Sequence, residues 1–180
     1  MKFTVTEKQY NFLLEQSGQI KKSPKNSGET SPSVSVLVGG LDSRPGDLSL
    51  DKQVDLLKSA GLRNVKGFRY NTPTQNVLDY LERIPNASVY LFSKGCEKAE
   101  SISSSPFVNK NKIYIIEPYA KSKGTKRIVQ AAVANGVPAQ NVFVGAIPET
   151  GAGVVKGVSS SNGKSHWDAL KQVALRTKNN

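Results

Sequence analysis

The sequence predicts an α/β fold: a three-layer α/β/α sandwich around a mainly parallel sheet of about five strands. Three observations lead there. From residue 33 onward, short β-branched runs alternate with segments of helical period. Strands joined by helices imply right-handed crossovers, hence parallel pairing and a sheet covered on both faces. The chain has 180 residues, 37% of them hydrophobic, which suits one compact domain with a core.

The elements follow in order. Thr4-x-x-Glu7 forms a capping box, and Tyr10, Leu13 and Leu14 recur at helical spacing, so a short amphipathic helix is expected over residues 5–16. Residues 17–33 are polar, rich in Ser, Lys, Gly and Pro, and without period, the texture of a flexible linker. Residues 1–32 are therefore expected to be an arm and linker, and residues 33–180 the domain. Strands are expected at 33–38, 64–69, 88–92, 112–117 and 141–144. Leu50, Val54, Leu57 and Ala60 form one helical stripe, Val77, Leu78, Leu81 and Ile84 a second, and Ile128, Val129, Ala131 and Ala132 a third. A last helix follows His166 through Leu170, Val173 and Ala174. There is no internal repeat.

Composition narrows the chemistry. With one cysteine, Cys96, no disulfide forms within the chain, and with one histidine no His/Cys cage for zinc is available. No metal site is expected. The longest apolar runs, such as Ile113 to Ile116, fall far short of the roughly 20 residues that cross a bilayer. The first residues lack a basic segment followed by an apolar stretch, so the cytoplasm is the expected place of synthesis. The net charge of +11 favours polyanions such as nucleic acid, acidic cell-wall polymers or anionic lipid. The basic residues are scattered, in loose groups at Lys21, Lys22 and Lys25 and at Lys121, Lys123, Lys126 and Arg127, which reads as a solvated basic surface. Nucleic acid is not the expected partner.

In parallel sheets ligands collect beyond the carboxyl ends of the strands. Four loops there are informative: 39–47, 93–96, 117–120 and 145–166. The apolar strand Ser88-Val89-Tyr90-Leu91-Phe92 runs directly into Ser93-Lys94-Gly95-Cys96-Glu97-Lys98-Ala99, whose composition favours helix. A serine at a tight strand-to-helix turn projects, and a glycine two positions later lets the following helix come close. This is the geometry of a nucleophile elbow. The strand, the Ser-x-Gly-x-x-x-Ala turn and one late histidine resemble the α/β-hydrolase family at the size of its small lipases and cutinases, over residues 33–180.

The resemblance implies a minimal α/β-hydrolase-like fold with Ser93 as nucleophile and the Lys94 backbone N–H as one oxyanion donor. The second donor would come from Gly40 or Leu41, after the first strand, where Val36-Leu37-Val38-Gly39-Gly40-Leu41 is similar to the family's oxyanion turn. The family order of serine, acid and histidine puts His166 as base. A serine base needs a carboxylate on its other nitrogen. Glu117 and Glu149 both qualify by position. Glu117 is preferred, because a carboxylate ending an apolar strand is harder to assign to solvated surface. No cofactor is required.

Two positions depart from the family pattern: Leu91 stands where a small residue is usual before the serine, and Cys96 where a glycine is usual after it. A large Leu91 would crowd the turn, and Ser93 could then merely cap the following helix. His166 could be a helix-start residue beside Trp167, and Cys96 a small packed residue or, at a helix start, a nucleophile in its own right. Gly39-Gly40 and Gly151-x-Gly153 lack the rest of any phosphate-binding motif. Gly40-Leu41-Asp42-Ser43 has a distant resemblance to the Gly-Asp-Ser block of SGNH esterases, which makes Ser43 the lesser nucleophile candidate; the matching late Asp-x-x-His is missing.

The expectation is a small serine hydrolase that cleaves an ester, in second place an amide, through an acyl-enzyme. Its substrate would be an ester-containing small molecule or a surface polymer. The alternative is a non-catalytic interaction module whose arm engages a protein assembly. The first residues are weakly similar to the beginnings of some tailed-phage proteins, which would place such a module in a phage particle.

Overall fold

A computed structural model describes residues 34–42, 46–119, 124–146 and 155–179. The expected arm and linker, Ser43 and Glu149 lie outside the described residues. The five expected apolar runs all form strands: β1 (Val34–Val38), β2 (Asn64–Phe68), β3 (Ser88–Phe92), β4 (Ile113–Ile116) and β5 (Val142–Val144). A sixth, β6 (Ser159–Ser160), completes one sheet in the order β2-β1-β3-β4-β5-β6, and every pairing is parallel. The helices are α1 (Leu50–Ser59), α2 (Thr74–Glu82), α3 (Ala99–Ser104), α4 (Thr125–Ala134) and α5 (His166–Thr177).

The alternation of side chains along each strand feeds two cores. On one face Leu37, Tyr90, Phe92, Tyr114 and Ile116 meet Val54 and Leu57 of α1 and Leu170, Val173 and Ala174 of α5. On the other, Val36, Val38, Val89, Leu91, Ile113 and Ile115 meet Val77 and Leu81 of α2, Ile102 of α3, and Ile128, Val129 and Ala132 of α4. The chain steps one way from β1 to β2 and the other way from β2 through β6. A constant crossover hand then requires α1 to lie opposite α2, α3 and α4, as it does. The direction reverses between β1 and β3, the place in an open parallel sheet where ligands collect, at the strands' carboxyl ends.

β6 carries no apolar signal, being Ser-Ser, and its position is fixed from outside the strand. Arg176 of α5 donates to the carbonyls of Ser160 at 2.8 Å and Ser161 at 2.6 Å. Its guanidinium lies 5.0 Å over the Phe143 ring. The same region continues into the turn that carries His166.

At these carboxyl ends the turn after β3 sits directly on the end of β1. A side chain at Gly95 would put its Cβ 2.2 Å from the Val38 carbonyl oxygen and 2.7 Å from that of Gly39. Neither acceptor can move without breaking the pairing of β1. Gly95→Ala is therefore expected to lower unfolding free energy by about 2–3 kcal/mol in urea denaturation. Loss of less than half a kilocalorie would show that the turn is not seated on β1.

Candidate functional site

The site begins with two glycines at the end of β1. The Gly39 N–H donates to the Phe68 carbonyl at 2.9 Å, and the Gly40 N–H donates to Gln53 Oε1 at 2.9 Å. Gln53 is fully buried, and its Nε2 donates to the Leu48 carbonyl at 2.8 Å, so this one amide ties both ends of the β1–α1 loop to α1. The Gly40 amide is thus already engaged. The expectation that it serves as an oxyanion donor does not fit this arrangement; Leu41, next to it, is half-buried.

Ser93 follows β3 and has φ +53°, left-handed for a residue with a side chain. Such a conformation costs about 1–2 kcal/mol. The side chain is almost wholly buried and packs on Gly40, where an added Cβ would lie 2.9 Å from Ser93 Cβ and 3.3 Å from its Oγ. The helical turn it opens, Ser93–Lys98, has no side-chain cap, so the reading of Ser93 as a mere helix cap finds no bond to support it. Leu91 does not crowd the turn, because it points into the core beneath α2 and α3. Cys96 is buried as well, its Sγ donating to the Leu91 carbonyl at 3.1 Å. Burial pushes its thiol up, well away from a reactive thiolate.

One strand over, the same position is strained in the same way. Phe92 pairs with Ile116, so Ser93 and Glu117 come next in register on adjacent strands. Glu117 has φ +44° and is fully buried. Its N–H donates to the Phe143 carbonyl at 2.8 Å, and its Oε1 accepts from the Ala146 N–H at 2.9 Å. The Tyr119 N–H in turn donates to the Ser93 carbonyl at 3.2 Å, joining the two strand ends.

His166 opens α5 beside Phe92 at the end of β3. Ser165 caps the helix by accepting from the Asp168 N–H at 3.2 Å, and Asp168 Oδ2 accepts from the Lys164 N–H at 2.8 Å, a reciprocal cap that fixes the first turn. The imidazole stacks on Phe92, with ring centroids 4.4 Å apart, and meets Trp167 edge-on at 5.1 Å. Among the described residues its buried Nδ1 has no hydrogen-bond partner. Burial lowers the imidazole below its ordinary value; the charges of Glu117 and, less strongly, Asp47 push back upward.

At the rim of the sheet Ser93 meets Gly40 and stands next to Glu117 in register, while His166 stacks on Phe92 and feels the Glu117 charge. No hydrogen bond joins His166 Nδ1 to Glu117. The Lys94 side chain lies 5.4 Å over the Tyr70 ring, away from its own backbone amide. Among the described residues, no group of three or more His, Cys, Asp or Glu is placed to hold a metal ion. None of the described helices is long and apolar enough to cross a membrane.

Two contributors carry no expected role from the sequence. Asp47 lies in the loop after β1, already marked as informative, yet only the fold brings its charge near His166. Gln53 sits on the apolar stripe of α1, three residues after Leu50 and one before Val54, and a polar residue inside such a stripe was the available signal.

The imidazole provides a direct check. An NMR titration of the His166 ring should give a pKa below 6.5, and Glu117→Gln, which removes the largest upward charge effect, should lower it further. Because the unfolded histidine takes up its proton near 6.5 while the folded one resists, this group's contribution to stability is complete above that pH and is lost on acidification through the folded pKa. A pKa at or above 6.5 would mean the ring is solvated and the rim open.

Comparison with protein-family models, with curated proteins and with solved structures found no match.

Proposed function

We propose that the protein is a small serine hydrolase that cleaves an ester, and less readily an amide, through a covalent acyl-enzyme. The observation that carries this reading is Ser93: a left-handed, buried serine at a strand end, beside a glycine, with a second strained and buried residue, Glu117, next to it in register. Unfavourable backbone held by its surroundings is a mark of functional positions. Two such residues stand side by side on adjacent strands, and the chain's one histidine stacks on Phe92, directly before Ser93.

In this reading the Ser93 hydroxyl attacks the ester carbonyl while His166 takes its proton. The tetrahedral oxyanion is held by the amides of Leu41 and Lys94. Collapse breaks the bond to the leaving alkoxide, which receives the proton from His166, and water repeats the sequence on the acyl group to free the acid and Ser93. The burial that lowers the imidazole keeps it unprotonated at neutral pH, as a general base requires. Glu117, the strongest upward influence on the ring, stabilises the imidazolium formed in the transition state. The substrate is an ester-containing small molecule or a surface polymer, and the net charge of +11 favours an acidic one.

One observation favours a second reading, a non-catalytic interaction module such as a component of a phage particle: the imidazole is stacked on Phe92, its Nδ1 without a partner among the described residues, rather than held in a relay. Catalytic hydrogen bonds often tighten only with substrate bound, so the two readings part on reactivity. Incubation with a fluorophosphonate probe followed by peptide mapping should place the adduct on Ser93. The adduct should vanish in Ser93→Ala, and its formation should slow by roughly 100-fold or more in His166→Ala. A folded protein that takes no label is an interaction module, and label on Ser43 moves the chemistry to the loop after β1.

A further inference from the structure

Away from this rim, the outer strand β2 and helix α2 enclose a shallow cavity of about 310 Å³ lined by Lys66, Phe68, Asn76, Asp79, Tyr80 and Arg83. Lys66 and Phe68 are two apart on β2 and therefore share a face. The other four fall at positions i, i+3, i+4 and i+7 of α2 and its C-terminal end, one stripe of the helix. The cavity has an aromatic wall, since the Phe68 and Tyr80 rings meet edge-to-face at 5.5 Å. It has two cations in its lining, Lys66, whose Nζ lies 5.7 Å from the Phe68 centroid, and Arg83. Neither cation forms an ion pair with a described residue. Asp79, four residues before Arg83, instead accepts from Gln75 Nε2 at 2.7 Å.

We propose that this cavity binds a small phosphate monoester, its phosphoryl group between Lys66 and Arg83 and its ring against Phe68 and Tyr80. Two cations match a phosphoryl group of charge about −1.5 to −2 better than a carboxylate of charge −1. The half-buried rings supply an apolar surface for one ring system, and Asn76 and Asp79 supply polar partners for hydroxyl groups on it. At about 310 Å³ the cavity stands at the lower bound of small-molecule sites, which limits the ligand to one ring and its phosphate. This site is independent of the chemistry proposed for Ser93.

The test is a titration of the full-length protein with phenyl phosphate, followed by backbone amide NMR at low salt, with phenol and inorganic phosphate as partial ligands. The expected result is saturable shifts over residues 66–68 and 76–83, with phenol and phosphate each binding roughly tenfold more weakly. Lys66→Met and Arg83→Met should each weaken phenyl phosphate by roughly tenfold, while Lys58→Met on α1 should leave it unchanged. The proposal is overturned by the absence of saturable shifts at millimolar ligand, by shifts centred on the Ser93 rim, or by equal binding in the two cavity variants and the wild type.

Discussion

The site depends on how closely the turn after β3 is pressed onto the end of β1. Gly95 lies against the carbonyls of Val38 and Gly39, and Gly40 lies against Ser93, so each strand end is shaped to accept the other. With side chains at these two glycines the turn would stand off, and Ser93 could relax into an ordinary helical conformation. Pressed together, they leave it left-handed. The cost of about 1–2 kcal/mol at Ser93, and again at Glu117, is small beside the burial of strands whose side chains are enclosed on both faces. Such a sheet can hold strain at its rim without yielding.

Burial then sets the electrostatics. Phe92 and Trp167 shield the imidazole from water, which disfavours its proton, while Glu117 and Asp47 favour it. The balance leaves the ring below its ordinary pKa beside the buried Glu117. That carboxylate is itself tied to the Ala146 amide, so the strand end after β4, the loop after β5 and the first turn of α5 are coupled at one point. Arg176, at the other end of α5, holds the chain leading into that turn by its two carbonyl contacts near β6.

Much of this was legible in the sequence because it rests on periodicity. The five apolar runs and the stripes of α1, α2, α4 and α5 follow from burial on two faces, and burial writes itself into residue type. β6 was not legible, since a Ser-Ser pair becomes a strand only through Val144 and Arg176. At the site, the turn from Phe92 into Ser93 could be read from glycine spacing, and Glu117 from its place at the end of an apolar run. The engagement of the Gly40 amide by Gln53 could not, because it joins residues in different elements through a side-chain rotamer. For the same reason Leu91 looked obstructive: its size was visible, its direction into the core was not. The effect of Asp47 on His166 likewise joins residues far apart in the chain.

The proposal at issue is that Ser93 attacks with His166 as base and the amides of Leu41 and Lys94 holding the developing charge. A crystal structure of the phosphonate-treated protein tests it most directly. The account predicts phosphorus bonded to Ser93 Oγ, its free oxygen within hydrogen-bond distance of those two amides, and the imidazole turned off Phe92 toward the leaving-group side. An unmodified Ser93 with the ring still stacked on Phe92, or phosphorus on another hydroxyl, would contradict it.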